Sequence, residues 1–249
     1  MNRVLFVIPT LNEAGNIVAL CREILNLDEN WDILVVDDGS SDGTPELVMA
    51  MEFSGSSRLN VLQRGKRLGI GSAHKDGLKS AILREYEFAV TMDADGSHEP
   101  ASAQSILDGC TSHDICVGSR YLQSNSLAGW SLGRKILTHL VHQLTMASLG
   151  LKYDNSSGFR AYRISTISDL SLDRIQSANY DFFFESLLFF QRNGLKINQA
   201  SITLPTRTYG HSKLSFKLAV SALLTLIKLT YKYRIVPNGV EKREERGRP

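Results

Sequence analysis

Cysteine is scarce. Cys21, Cys110 and Cys116 are odd in number and lack metal-site spacing, so they build neither a disulfide framework nor a zinc site. They are expected as buried thiols in a reducing compartment. Long apolar runs are missing as well: "LAVSALLTLI", between Lys217 and Lys228, holds ten residues, where a spanning helix needs roughly 20. There is no excess of one charge, because 28 Lys and Arg face 26 Asp and Glu for a net +2, which excludes a general pull toward nucleic acid. "MNRVLFVIPTLNE" has no cleavable signal pattern and enters a strand at once, so the catalytic part is expected to be cytosolic. Internal repeats and low-complexity segments are absent too. Neither G-x-x-x-x-G-K-[ST] nor a placed G-x-G-x-x-G occurs, which argues against an ATPase or a dehydrogenase. What remains is an ordinary globular composition, 43% hydrophobic and 22% charged, long enough for one large domain or two intimate halves.

The first hundred residues alternate short apolar runs with helical patterns. "RVLFVIP" (3–9), "DILVVDD" (32–38), "RLNVLQR" (58–64) and "EFAVTMD" (87–93) are short and rich in β-branched residues. Such runs predict strands covered on both faces, and the alternation predicts a parallel, doubly wound α/β sheet. "SSDGTPELVMAM" (40–51) reads as a turn and a helix with Pro45 in its first turn, and "DICVGS" (114–119) as a further strand. Beyond Arg120 come a polar loop, a long helix over 131–150 with a glycine stop, "SGFRAYR" (157–163), a helix around 181–193 and a strand near 197–204. Residues 236–249 read as a solvated tail. The segment after Lys213 predicts an amphipathic helix flanked by Lys217, Lys228, Lys232 and Arg234, which either lies in a membrane interface or packs on the domain's own core.

Ligands of an open α/β sheet bind beyond the carboxyl ends of its strands, and polar residues collect there. Strand one ends in "PTLNE", strand two in "DDGSSDG", strand four in "DADGS" and strand five in "GSRY". Asn12, Ser40 and Asp42 could each serve as helix N-caps, and for Ser40 and Asp42 that is the expectation. Asp93 and Asp95, spaced i and i+2, would repel one another unless a cation or a donor-rich ligand joined them. Only oxygen ligands are on offer, which favours Mg²⁺ or Mn²⁺ bound through one or two carboxylates and substrate phosphates. A carboxylate at Asp37 or Asp38 suits donor groups of a base or ribose. "GKRLGIGSAHKDGLKSA" (65–81) resembles a backbone-approach loop, in which Lys66 and Arg67 either meet phosphate or flank a surface turn. His139 and His142, without nearby acidic partners in the sequence, read as surface or packing residues.

"VIPTLNEAGNI", "ILVVDDGSSDGT", "GKRLGIGSAHKDGLKSA", "MDADGSHEP", "VGSRY", "GWSLGRKI", "SGFRAYR" and "RTYGHSK" follow the order and spacing of the dolichol-phosphate (polyprenyl-phosphate) mannose synthases, inverting family-2 glycosyltransferases of GT-A fold. The resemblance runs from Val4 to about Leu214. It implies a single domain over 1–235, made of a nucleotide-sugar half (1–97), an acceptor half (98–213) and an amphipathic helix (214–235). It also implies that Pro9, Leu11, Glu13, Val36, Asp38, Lys66, Gly69, Asp93 and Ala94 hold the nucleotide sugar, and that Asp93, Asp95 and Ser97 surround the metal. Asp95, Arg120, Arg134, Arg207, Lys213 and Glu185 are the implied catalytic set. The sequence departs from the family at Gly96, Ser97 and His211, where leucine, glutamine and glutamate are common.

The implied reaction moves mannose from GDP-mannose to a polyprenyl or dolichyl phosphate at the cytosolic membrane face, with peripheral membrane contact and room for a separate anchoring subunit. A phosphate monoester is already ionised near neutrality and needs no general base, whereas a sugar hydroxyl would need one, with Glu185 or Asp181 the candidates. UDP-glucose or another UDP-sugar, a saccharide acceptor, and a non-catalytic subunit of the same fold are the alternatives.

Overall fold

The computed structural model describes residues 3–53, 58–123, 126–127, 132–203 and 216–235. Seven strands form one sheet: β1 (Val4–Thr10), β2 (Trp31–Asp37), β3 (Leu59–Gln63), β4 (Phe88–Thr91), β5 (Ile115–Ser119), β6 (Arg160–Arg163) and β7 (Ile197–Ser201), in the order β3-β2-β1-β4-β6-β5-β7. The helices are α1 (Ile17–Leu27), α2 (Thr44–Phe53), α3 (Ile70–Leu83), α4 (Ala103–Asp108), α5 (Leu132–Leu149), α6 (Ile164–Ile167), α7 (Phe182–Arg192) and α8 (Phe216–Thr230).

Alternation along β1 explains why its sequence is apolar throughout. Val4, Phe6 and Ile8 enter one core with Ile17, Ile24, Val48 and Ile106, under α1, α2 and α4. Leu5 and Val7 enter the other with Ala73, Leu78, Phe182 and Leu187, under α3 and α7. Each buried aliphatic or aromatic side chain stabilises by about 1.5–3 kcal/mol, so a strand with two buried faces holds its register firmly. α3 lies so close to β1 that a Cβ at Gly77 would fall 2.0 Å from Val7 Cγ1, and only glycine allows that approach.

The sheet is not uniformly parallel. β6 runs antiparallel to both neighbours, β4 and β5, while β1–β2, β1–β4, β2–β3 and β5–β7 pair in parallel. The reversal has a functional consequence: the loop before β6 reaches the edge where the other strands end, so Asp154–Phe159 joins the crevice from the amino end of a strand. Arg160, which opens β6, is fully buried. It donates through Nε to the Ser157 carbonyl (2.8 Å), through Nη1 to Ser186 Oγ (2.9 Å) and through Nη2 to the Phe183 carbonyl (2.8 Å). These bonds tie the loop to α7.

α8 carries apolar residues on both sides, which differs from the amphipathic helix expected. Leu226 and Leu229 are buried in the core, and Thr225 Oγ1 donates to Asp181 Oδ2 at 2.8 Å. Val220, Leu223, Leu224 and Ile227 are exposed on the opposite side. Packing on the domain and an outward apolar face therefore coexist on one helix.

Candidate active site at the carboxyl edge of the sheet

The loops after β1 and β2 are stitched into one wall. The Asn12 amide donates to Ser40 Oγ (2.8 Å), the Ser41 amide to Asn12 Oδ1 (2.8 Å), the Ala14 amide to Asp42 Oδ2 (2.9 Å) and the Glu13 amide to Thr44 Oγ1 (2.9 Å). Ser40 and Asp42 do satisfy backbone donors, as expected, but across loops as well as at the start of α2, where the Thr44 amide donates to Asp42 Oδ1.

Asp37 and Asp38 are engaged by the protein itself. Asp37 accepts from Thr10 Oγ1, Ser40 Oγ and the amides of Gly39 and Ser40. Asp38 Oδ1 accepts from Arg64 Nη1 and the Leu68 amide, and its Oδ2 from the Gly69 amide, each at 2.8 Å. Asp38 thus closes the 64–69 loop onto β2. Gly69, at φ +106°, sits where a Cβ would lie 2.3 Å from the Ala178 carbonyl, so this loop meets the 176–181 segment backbone to backbone. Lys66 and Arg67 are exposed beside it, Pro9, Leu11 and Glu13 are half-buried on the wall, and the side chains of Val36 and Ala94 are buried in the core.

Asp93 and Asp95 follow β4. Ala94 between them is buried, while Asp93 and Asp95 are half-buried. The Asp93 amide donates to His98 Nδ1 (3.1 Å), which places the His98 proton on Nε2, and the Ser97 amide donates to Asp95 Oδ1 (3.0 Å). His98 stacks on Phe159, ring centroids 4.9 Å apart, and Thr91 Oγ1 donates to the Gly158 carbonyl at 2.7 Å. A Cβ at Gly158 would stand 3.2 Å from Asp93 Oδ1, so this backbone lies directly against the carboxylate. Burial lowers the His98 pKa, opposed by the negative charges of Asp93 and Asp95.

Among the described residues no three His, Cys, Asp or Glu gather into a metal cage. A pair of carboxylates with Ser97 beside it is an all-oxygen, incomplete donor set. It fits Mg²⁺ or Mn²⁺, which keep waters and substrate phosphates as ligands, and not a site that must be closed by protein.

Arg120, one residue past β5, is clasped by Asp154. Its backbone amide and Nε donate to the same oxygen, Oδ2, at 3.1 and 2.8 Å, and Asp154 is fully buried. Neither Asp154, His98, Arg160 nor Arg64 stood out in the sequence. His142 packs, as expected: it is buried and stacks on Tyr121, ring centroids 4.0 Å apart, and its pKa is lowered first by burial and raised in part by Asp154, an acidic neighbour the sequence did not reveal. His139 is exposed, as expected of a surface residue.

Glu185 and Asp181 are held by protein donors. Glu185 Oε1 accepts from the Gln176 amide (3.2 Å) and Oε2 from the Ser177 amide (2.7 Å), while Asp181 takes Thr225 as described. Arg207 and Lys213 lie outside the described residues, as does the side chain of Arg134; its backbone belongs to α5.

Residues 5–171 match the Glycosyl transferase family 2 sequence model. The polyprenol monophosphomannose synthase of Mycolicibacterium smegmatis is 32% identical over 215 residues, 86% of this chain and 81% of that protein. The undecaprenyl-phosphate mannosyltransferase of Micrococcus luteus is 32% identical over 227 residues, 91% of this chain and 93% of that one. Glucosyl-3-phosphoglycerate synthase from Mycobacterium tuberculosis, solved with Mn²⁺, UDP and phosphoglyceric acid, superposes with a TM-score of 0.69 at 19% identity, covering 92% of this chain and 78% of that one. That likeness establishes the GT-A-like fold. With the family match spanning most of the chain and the acidic pair lying at the carboxyl edge of the sheet, the protein is a glycosyltransferase of family 2.

Proposed function

We propose that this enzyme is a metal-dependent, inverting mannosyltransferase that moves mannose from GDP-mannose to a polyprenyl or dolichyl phosphate. The observation that carries the reading is one loop that meets both the acidic pair and an arginine. Asp154 takes Arg120 Nε at 2.8 Å, and four residues on a Cβ at Gly158 would stand 3.2 Å from Asp93 Oδ1, so the acidic pair and the arginine border the same loop. The names of the two mannosyl-transferring relatives support a polyprenyl phosphate acceptor.

Asp93 and Asp95 would hold Mg²⁺ or Mn²⁺, with Ser97 adjacent. Such an ion, when bound, supplies charge stabilisation for a departing diphosphate. The two stitched loops after β1 and β2, with the 64–69 loop, form the wall for the nucleoside. Arg120 presents a planar, permanently charged fork suited to phosphate oxygens, and Arg134, Arg207 and Lys213 are proposed to share that work. The acceptor phosphate arrives ionised, so no side chain has to remove a proton. The engagement of Glu185 and Asp181 by protein donors supports a route without a general base. Attack on the face opposite the leaving diphosphate inverts the anomeric centre, and positioning with fixed charge carries the catalysis.

The acceptor is a lipid, and the reading extends to the surface that meets it. Leu132, Ile136, Leu140 and Leu144 recur every fourth residue on α5 and are exposed, beside the exposed Leu223, Leu224 and Ile227 of α8. Lys135, Lys228 and Lys232 accompany them. No helix among the described residues is long and apolar enough to cross a membrane. This face is proposed to rest on the lipid surface.

The test incubates the protein with Mn²⁺ or Mg²⁺, labelled GDP- and UDP-sugars and a short polyprenyl phosphate in anionic vesicles. Label from GDP-mannose entering the lipid is the expected result. Label only from UDP-sugars overturns the donor, and transfer only to a saccharide overturns the acceptor. Failure of the protein to sediment with the vesicles, at wild-type activity on soluble acceptor, overturns the membrane contact.

A further inference from the structure

We infer that Asp154 is a positioning residue for Arg120, and that the loop it opens fixes the arginine and the acidic pair relative to each other; the inference rests on the phosphate-handling role proposed above for Arg120. The grip differs from the fork-on-fork geometry. Arginine–carboxylate pairs are frequently bidentate, with two guanidinium nitrogens on two oxygens. Here a single oxygen, Asp154 Oδ2, takes the Arg120 backbone amide (3.1 Å) and Nε (2.8 Å). That closes a ring through the arginine's own side chain and sets its direction. The terminal nitrogens Nη1 and Nη2 have no hydrogen-bond partner among the described residues, and the Arg120 side chain is only 10% exposed. The fork is thus held by its stem with its working end left over.

Asp154 is itself fixed. Its amide donates to Gln199 Oε1 on β7 (2.9 Å), Gln199 Nε2 donates to the Lys152 carbonyl (3.2 Å), and Oδ1 accepts from Ser156 Oγ (3.3 Å). Four residues on, the same loop carries Gly158, whose carbonyl accepts from Thr91 and whose backbone lies against Asp93, and then Phe159, which stacks on His98. One loop therefore sets the place of Arg120 at one end and of Asp93 at the other. A free arginine loses rotamer freedom when it is ordered. Restraining it beforehand moves that cost from substrate binding to folding.

The test compares wild type, Asp154→Asn, Arg120→Lys and the double variant for mannosyl transfer to short polyprenyl phosphate with Mn²⁺ present. Asp154→Asn is expected to lower kcat/KM by about 10–100-fold, the scale of a misplaced catalytic contact. Because Asp154 acts through Arg120, the double variant should be no worse than the poorer single variant. Wild-type kcat/KM in Asp154→Asn, or losses that multiply in the double variant, would overturn the inference. If Asp154→Asn does not fold, Gln199→Met frees the Asp154 backbone amide, and so the residue that carries the carboxylate, while leaving its charge in place, and the same non-additivity with Arg120→Lys is required of it. The ¹⁵N NMR signal of Arg120 Nε–H reads the clasp without turnover. It should be protected from exchange in wild type and lose that protection in the variant, and an unprotected wild-type signal overturns the inference. Failure of the wild type to label polyprenyl phosphate from any donor overturns the proposed function instead and leaves the NMR arm decisive for the clasp.

Discussion

Arg64 and Asp38 form an ion pair at 2.8 Å whose side chains are 4% and 6% exposed, and the same carboxylate also accepts the Leu68 and Gly69 amides. Arg64 Nε lies 3.1 Å from Asp76 Oδ2, and its Nη2 donates to Ser72 Oγ, so one cation joins the end of β2 to α3. A carboxylate this occupied by protein donors shapes the proposed nucleoside wall through the loop it closes.

Asp38→Ala strands the Arg64 cation in a buried position. Breaking a buried pair by removing one partner costs about 3–5 kcal/mol, and a lower urea midpoint should accompany any loss of nucleotide affinity. Weaker nucleotide binding at unchanged stability would assign Asp38 to direct ligand contact instead.

Asp95→Ala should leave the fold intact, because Asp95 is half-buried and its bond from the Ser97 amide is local. Turnover should fall by at least about 10³-fold, the equivalent of the several kcal/mol that a bound cation contributes to leaving-group stabilisation. EDTA should abolish wild-type activity, and excess Mn²⁺ should restore it. Full activity under chelation removes the metal from the reaction.

Glu185→Gln separates a base from a brace. A general base contributes about 10²–10⁴-fold, so its loss would show at once in kcat. A carboxylate that braces the Gln176 and Ser177 amides should instead lose about 1–3 kcal/mol of stability, with transfer kept within several-fold of wild type. A hundredfold fall in kcat with wild-type melting would return Glu185 to the chemistry.

The legible part of this fold is the part with two-sided burial. The runs over 3–9, 32–38 and 114–119 each fall within a residue or two of a strand, because a strand covered on both faces must be apolar throughout. The run over 58–64 also forms a strand, but β3 lies at the sheet edge and is only partly buried, not covered on both faces as expected. The rule that ligands gather at strand carboxyl ends pointed to Asp93, Asp95 and Arg120, and all three do follow the ends of β4 and β5. β6 escaped it. "SGFRAYR" puts a fully buried arginine at a strand start, and the hydrogen bonds that make this burial tolerable come from Ser186 and Phe183 on α7. Its reversed direction also brings Asp154 to the site from the amino end of a strand, 34 residues from Arg120. Which carboxylate clasps which arginine is a tertiary fact with no local signal. His98 is visible three residues past Asp95, but its role depends on the Phe159 ring beneath it.

His74 makes stability depend on pH. It lies on α3, fully buried, stacked on Phe182 and edge-on to Phe183, and neither ring nitrogen has a hydrogen-bond partner among the described residues. Burial, followed by the nearby charges of Arg160 and His98, lowers its pKa from 6.5 to about 3. The unfolded chain therefore binds a proton in this window that the native state refuses. The difference in bound protons is positive for the unfolded state, so stability rises with pH between these limits and is lost as pH falls through 6.5 toward 3. The slope from one such group approaches 1.4 kcal/mol per pH unit, roughly, where the unfolded histidine is protonated. His98 and His142, also lowered, add slopes of the same sign. His74→Phe keeps an aromatic ring against Phe182 and removes this titration. Urea unfolding of both proteins at several pH values between about 4 and 7 should then show a shallower rise for the variant, by about 1 kcal/mol per unit below pH 6. Parallel curves would mean that the native state protonates His74 as readily as the unfolded chain does.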